Sequence, residues 1–257
     1  MFSSAGAVAE FLYVTTRTDK KGPVSQSRSI FWVLKDTPGM TMEINHMIMP
    51  DIYGNVQVHF DNVRIPECQL IGKVNKSSGD LLATKPIAFS SMLGETRNIY
   101  EQMVDYAKQR VQGGKPIIQH SSVAAMLGEL AIMIEATRSL FYRAGWEIDQ
   151  REKAGMPRDT FWAFATFYLV KRLCLLLGEV ATDIYGGIVS MKHLPISSFL
   201  QNIYVMIPGG GPMSMDKIKS SMSYNNHTLG EPWKKVEHEY STIAHVGLGR
   251  PLDKARK

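Results

Sequence analysis

The stretch from Arg110 to Pro116 combines residue types that can hold a phosphate group. Arg110 carries a planar guanidinium that can pair with two phosphate oxygens, and it lies next to Gly113-Gly114. Glycine lets the backbone approach an anion closely, and charge-assisted bonds from arginine are among the stronger hydrogen bonds in proteins. The same residues also suit the end of a helix, where arginine caps carbonyl groups and glycine stops the helix. Taken alone, the stretch leaves both readings open.

The other residues that bear on chemistry exclude several classes of site. Cys68 and Cys174 lie far apart and form no CxxC pattern, and the histidines have no spacing typical of ligands. A disulfide framework and a bound metal are therefore not expected. The formal net charge of +5 is not gathered into a run of like charges, so nucleic-acid binding is not expected either.

The N-terminal sequence and the hydropathy pattern bear on where the protein works. The first residues lack the basic and apolar regions of a secretory leader. We found no uninterrupted apolar run close to the roughly 18 residues of a membrane span. The expectation is a soluble, cytoplasmic protein without a membrane span.

The first part of the chain has the pattern of a β-domain. Strands are expected at residues 11–16, 29–34 and 56–60, separated by turn signals around Gly22-Pro23 and Pro38-Gly39, and together they predict one antiparallel sheet. The last of them alternates, with Val56, Val58 and Phe60 on one face. His59 falls on the other face and is predicted to face solvent.

After residue 80 the apolar period becomes helical. The third helix is apolar around most of its circumference, which predicts a central place in a bundle. We therefore expect an α+β fold, with a partial antiparallel β-domain in residues 1–80, an up-and-down four-helix bundle in 81–222 and a basic tail in 223–257. Helices are predicted over residues 87–111, 121–154, 160–183, 195–205 and 212–222.

Five segments, taken together and in this order, resemble the C-terminal portion of the acyl-CoA dehydrogenase family. The resemblance runs from about Ala5 to Met222 and implies FAD as cofactor, an acyl-CoA thioester as substrate, and an electron-transfer flavoprotein or similar acceptor. The implied reaction removes an α-proton and a β-hydride from the acyl group. The segments are Thr37-Pro38-Gly39, residues 60–66, residues 106–116, residues 142–146 and residues 181–187.

The resemblance begins in the middle of the family's fold. An N-terminal helical domain and the first strands of the β-domain have no counterpart in this sequence. The chain is then either a fragment or one subunit of a hetero-oligomer in which a second polypeptide supplies the N-terminal half. An apolar edge strand without a partner tends to pair or aggregate, which favours the second polypeptide.

The resemblance also implies which residues hold FAD. In the family, an arginine matching Arg110 and residues near a Gly-Gly matching Gly186-Gly187 hold the flavin diphosphate across a subunit interface. His120 and Ser121 match a His-Gln pair beside the flavin, although Ser121 departs from the glutamine. Asp183 stands where many members have glutamine, and it places a negative charge near a phosphate.

The catalytic base is missing from both positions that the family uses. The commoner position, a glutamate in a Tyr-Glu-Gly-Thr-like loop, falls on Gly210, and the alternative falls near Thr84. Neither residue can abstract the proton. Three explanations remain: Asp80 or Glu95 is a relocated base, the missing half supplies it, or the chain is a silent subunit that holds FAD. Without a catalytic role, Asp80 would be an ordinary carboxylate in a turn, and Glu95 an ordinary carboxylate on a solvated helix face.

The resemblance suggests three contacts with substrate. Lys85 stands where the family tends to have an arginine near the acyl-CoA nucleotide, and a solvated lysine at a helix start is the alternative. Gly209 and Gly210 form a loop without side chains, and this leaves room for a bulky or cyclic acyl group. A non-enzymatic scaffold, an acyl-CoA oxidase and a flavin monooxygenase remain as other functions of such a fold.

Overall fold

The computed structural model describes residues 2–22, 27–48, 54–75, 81–156, 159–209 and 211–224, with backbone alone for Phe2 and residues 81–88. The chain divides into two compact units, and the second extends from Leu81 to Thr228. The predicted tail lies outside the described residues beyond Tyr224. Each unit has its own buried core.

The first unit contains two three-stranded antiparallel sheets, so the prediction of one sheet is wrong. The first sheet has the order β1-β5-β4 and the second β2-β3-β6. Sequence periodicity missed three strands. Strands β1 and β6 have only two residues each, too few to show a period, and β4 directly follows a turn. The strands are β1 (Phe2–Ser3), β2 (Phe11–Arg17), β3 (Arg28–Leu34), β4 (Met40–Ile44), β5 (Val56–Phe60) and β6 (Leu70–Ile71).

Strand β5 carries the core of the first sheet. Val56 and Val58 are each 1% exposed, and His59 is exposed on the other face, as predicted. Phe60 is 38% exposed and lies less deeply than the alternation predicts, because it is the last residue of the strand, opposite Met40. One face of the first sheet is therefore buried along most of β5 and becomes partly exposed at the end of the strand.

The second unit is a bundle of five helices joined by short connections. The first helix begins six residues earlier than predicted and ends at Gln109, because Val111 and Gln112 pair in a hairpin instead of continuing it. The other helices begin and end within two residues of the predicted bounds. The helices are α1 (Leu81–Gln109), α2 (Ser121–Lys153), α3 (Thr160–Tyr185), α4 (Pro195–Met206) and α5 (Met213–Tyr224).

Helix α3 lies at the centre of this bundle and contacts each of the other four helices. Phe167, Val170, Leu173 and Leu177 are each 0% exposed. Burial of such large apolar side chains contributes roughly 1.5–3 kcal/mol each. The predicted α+β fold class is confirmed, and each of the five predicted helices is present in the described residues.

Helix α3 is also long and apolar enough to cross a membrane by length and composition alone. More than half of its most apolar window is buried inside the bundle, however, and the central helix of a globular bundle has the same composition. It also contains Lys171, whose side chain is fully buried and paired with Asp216. These contacts are those of a core helix.

Candidate functional site

The stretch from Arg110 to Pro116 forms a β-hairpin at the end of α1. The Arg110 amide still donates to the Tyr106 carbonyl at 2.9 Å, and β7 (Val111–Gln112) then pairs with β8 (Lys115–Pro116). Gly113 and Gly114 have φ angles of 62° and 80°. Two central residues with positive φ are typical of a type I′ turn, which glycine adopts without strain. The glycines thus turn the chain back toward Arg110 as well as ending α1.

The hairpin is fixed to the start of α2 through His120. The His120 ring nitrogen Nε2 lies 3.0 Å from the Gln112 carbonyl, and a Cβ on Gly113 would lie 3.3 Å from His120 Cε1. The Ile117 amide donates to the Arg110 carbonyl at 2.8 Å, and the Ile117 side chain is buried. His120 therefore supports the hairpin. Its predicted contact with the flavin stays a prediction.

The start of α2 and the Arg110 guanidinium leave donors available near the hairpin. His120 is the N-cap of α2 and provides no side-chain cap, and Ser121 opens the helix on the surface. Uncapped amides at a helix start carry a partial positive charge and suit an anion. Arg110 is exposed, and within the described part of the chain its guanidinium has no ion pair or hydrogen bond. This set of donors fits a phosphate.

The end of α3 lies beside the end of α1. The rings of Tyr106 and Tyr185 have centroids 4.7 Å apart, and burial, with Tyr106 adding to it, raises the pKa of Tyr185. Gly186 follows directly with φ 61° and ends α3. The helix ends that precede the two predicted diphosphate contacts therefore touch through Tyr106 and Tyr185.

Asp183 is the residue of this region that least suits a phosphate. It is exposed on the last turn of α3, three residues before Gly186. A carboxylate near a phosphate site weakens phosphate binding through charge repulsion, and exposure of the carboxylate to solvent and salt limits that repulsion. The donors fit the diphosphate without any contribution from Asp183, whose predicted role stays a prediction.

The predicted acyl end of the site lies at the turn between α4 and α5. The Gly209 amide donates to the Met206 carbonyl at 3.1 Å, and the Gly211 amide donates to the Pro208 carbonyl at 3.0 Å. Gly210 and Asp80 lie outside the described residues, as do the side chains of Thr84 and Lys85 in α1. Gly209 and Gly211, the described glycines of this turn, have no side chains. The predicted contacts with substrate stay predictions.

Glu95 is not on a solvated helix face. It is half-buried in α1, and Asn202 Nδ2 of α4 donates to its Oε1 at 3.2 Å. Along the helix it is also about 16 Å from Thr84, at 1.5 Å per residue. A carboxylate at Glu95 therefore cannot occupy the place that a base at Thr84 would take.

The structure also contains groups that periodicity did not reveal. Lys171 of α3 and Asp216 in the first turn of α5 form a fully buried ion pair, with 2.8 Å between Nζ and Oδ2. The sequence signal for it is a lysine within a mostly apolar helix, since lysine is almost never fully buried without a partner. Within the described ranges, no three or more His, Cys, Asp and Glu side chains gather as metal ligands.

The model of the acyl-CoA dehydrogenase C-terminal domain matches residues 80–218. The chain is 29% identical over 211 residues to an acyl-CoA dehydrogenase of Bacillus subtilis, covering 80% of this chain and 54% of the relative. It is 27% identical over 208 residues to a cyclohexane-1-carbonyl-CoA dehydrogenase of Geobacter metallireducens, covering 78% and 52%. This chain thus spans about half the length of these curated relatives.

A structure of glutaryl-coenzyme A dehydrogenase in complex with glutaryl-CoA has a similar fold. Its TM-score is 0.78 at 19% identity, and the match covers 87% of this chain and 57% of that one. The family implies FAD as the cofactor, in agreement with the donors around Arg110. From the resemblance of five ordered segments, the matching domain and the shared fold, it follows that the chain belongs to the acyl-CoA dehydrogenase family.

Proposed function

We propose that this chain is the C-terminal half of an FAD-dependent acyl-CoA dehydrogenase, completed by a second polypeptide that carries the N-terminal half. The observation that carries the proposal is the hairpin at Arg110, whose guanidinium has no partner within the described residues. The hairpin follows the end of α1, where Tyr106 contacts Tyr185 at the end of α3. An electron-transfer flavoprotein or similar protein would accept the electrons.

The residues of this chain would bind and orient the cofactor. When bound, FAD accepts the hydride that leaves the β-carbon of the acyl group. Arg110 would pair with the diphosphate through its planar fork, while the uncapped amides at the start of α2 would add partial positive charge. The contact between Tyr106 and Tyr185 packs the ends of α1 and α3 against each other.

The proton at the α-carbon requires a base that this chain does not offer at either family position. Gly210 has no side chain, and the hydroxyl of Thr84 is too weak a base. The 16 Å or so that separates Glu95 from Thr84 along α1 argues against Glu95 as its replacement. We therefore favour a carboxylate from the N-terminal half, with Asp80 as the remaining candidate in this chain.

Single substitutions distinguish these sources of the base. Glu95→Gln preserves the contact with Asn202 and should leave turnover unchanged. Asp80→Asn should leave it unchanged as well if the partner supplies the base. A large loss of kcat in Asp80→Asn, with acyl-CoA still bound, would instead assign the base to this chain.

The glycine turn supports a ring-containing acyl group as substrate. Gly209 and Gly211 have no side chains to fill the acyl end, and Gly210 stands where the family has a glutamate. One relative is described as a cyclohexane-1-carbonyl-CoA dehydrogenase, which agrees with this proposal. Lys85 would lie near the CoA nucleotide as a point charge in place of the family's arginine.

The test is the flavin spectrum of the chain co-purified with the polypeptide that carries the N-terminal half. A yellow complex that is bleached without oxygen by acyl-CoA, and faster by ring-containing than by straight-chain acyl groups, would support the proposal. Preference for short straight chains would contradict the substrate class. A native mass that shows only a monomer after co-expression would contradict the divided enzyme.

A catalytically silent subunit is the second candidate, and the missing carboxylate at Gly210 and Thr84 favours it. Such a subunit would hold FAD or shape the acyl pocket for an active partner. It predicts a yellow complex whose absorbance no acyl-CoA bleaches, or a colourless one if it is a scaffold alone. The same spectrum therefore separates the two functions.

A further inference from the structure

Lys171 is a fully buried charge that ties three elements together. It lies in the middle of α3 with 0% of its side chain exposed. Its Nζ donates to Asp216 Oδ2 of α5 at 2.8 Å and to the Gly211 carbonyl at 2.7 Å. The same nitrogen lies 5.2 Å from the centre of the Phe167 ring. A single ammonium group thus joins the central helix to the turn before α5 and to α5 itself.

Stability alone does not account for this ion pair. Removing two charges from water costs several kcal/mol per ion, and apolar replacements for buried pairs are often neutral or stabilising. The lysine does, however, make a contact that no apolar residue can make, because it donates to a backbone carbonyl. The effect specific to Lys171 is therefore on the position of Gly211.

Gly211 has a backbone conformation that benefits from such a restraint. Its φ is 115°, a region that residues other than glycine rarely adopt. The other bonds of the turn are local, since the amides of Gly209 and Gly211 donate to carbonyls three residues earlier. Lys171, 40 residues away in sequence, links this local turn to the bundle core.

We propose that Lys171, with its charge balanced by Asp216, is a positioning residue that fixes the Gly211 carbonyl and so sets the backbone at the acyl end of the site. The part that concerns substrate rests on the proposed function, because Gly209 is a predicted contact with acyl-CoA. Lys171 does not touch substrate in this account. It acts through the backbone of the turn.

The first test measures amide hydrogen exchange in the full chain, without any ligand. The variant Lys171→Met combined with Asp216→Asn removes both charges together, so neither is left buried alone, and asparagine retains the size of Asp216 and one of its acceptor oxygens. Lys217→Met is the matched control, because it makes the same change at an exposed neighbouring residue. Exchange at the Gly209 and Gly211 amides should become about tenfold faster in the double variant, as expected for loss of a bond from a charged donor. The control should match the original chain.

The second test measures kinetics of the same variants in the complete enzyme. KM for acyl-CoA should rise about tenfold and kcat should stay nearly the same. The substitutions weaken binding of the substrate and of the transition state equally, and they do not contact the reacting atoms. FAD absorbance should not change, since Tyr185 lies about 21 Å along α3 from Lys171.

The two tests fail separately. Unchanged exchange at Gly209 and Gly211 in a folded double variant would overturn the proposal, whatever the enzyme does. Faster exchange with an unchanged KM would overturn the effect on substrate. If the original complex binds no acyl-CoA, the proposed function fails, while the exchange experiment still decides whether Lys171 positions the turn.

Discussion

Replacing Arg110 tests the assignment of the flavin end of the site most directly. The guanidinium is exposed and has no ion pair or hydrogen bond within the described residues, so Arg110→Gln should change the free energy of unfolding by less than about 0.5 kcal/mol. A bond from arginine to a charged group contributes about 1.5–3 kcal/mol, and exposure favours the lower end of that range. The Kd for FAD should therefore rise by about tenfold.

The assay is a titration of apoprotein with FAD, followed by flavin fluorescence, in the complex of both halves. Arg110→Lys should give an intermediate Kd, because lysine retains the charge and loses the planar fork. Arg97→Gln is the control, since Arg97 is an exposed arginine of α1, the helix that ends just before Arg110, and pairs with Glu101 at 2.9 Å. The difference between Arg110→Gln and the original protein should shrink from 0.1 M to 1 M salt, as the Debye length falls from about 10 Å to about 3 Å.

Two results would refute this reasoning. Equal Kd values in Arg110→Gln, Arg97→Gln and the original protein would mean that Arg110 does not bind FAD. A drop in melting temperature with Arg110→Gln, without a matching change in Kd, would mean that the side chain stabilises the end of α1 instead.

Three further predictions concern the hairpin and the bundle core. Gly113→Ala should destabilise the protein by about 1 kcal/mol or more, because the φ angle of Gly113 is 62° and the new Cβ would lie 3.3 Å from His120. Gly94→Ala should stabilise the protein by roughly 0.5–1 kcal/mol, because Gly94 lies inside α1 and the new Cβ would meet no atom within 4 Å. Thermal melting measures both effects. A thiol reagent should modify exposed Cys68 quickly and buried Cys174 only after unfolding. Mass spectrometry of the modified peptides measures this, and equal rates for the two cysteines in the folded protein would contradict it. Burial raises the pKa of Cys174 from 9.0 to about 11, so the thiol ionises at lower pH in the unfolded chain than in the folded protein. Its contribution to stability should fall between those pH values by about 1.4 kcal/mol per unit, and alkaline melts of Cys174→Ala should lack that part of the slope.

Long elements were predictable from the sequence because their apolar residues repeat with the helical period. The central place of α3 follows from apolar residues around its circumference, and Leu173 and Leu177 are indeed fully buried. The division into two sheets was not predictable in the same way. Strand β6 contains two residues and exists because Leu70 and Ile71 pair with β3, which no local pattern records.

The candidate site shows the same division between local and distant information. Gly113-Gly114 followed by Pro116 predicts a helix stop, although two glycines in sequence are also a hairpin signal. The contact between Tyr106 and Tyr185 joins two residues far apart in the sequence. The pairing of Lys171 with Asp216 likewise spans 45 residues. Local periodicity cannot show which distant residues meet.

Helix α3 connects two regions with different tasks, and this separation explains how the missing base can be tolerated. Near its C-terminal end, Tyr185 contacts Tyr106 of α1, which the Arg110 hairpin follows, and Lys171 holds the turn before α5 about 21 Å away along the axis. Loss of a glutamate at Gly210 changes the second region without changing the residues proposed to pair with a diphosphate in the first. Cofactor affinity and proton abstraction can then diverge independently. For that reason a complex that binds FAD tightly but turns over no acyl-CoA would point to a silent subunit, and it would leave the role of Arg110 intact.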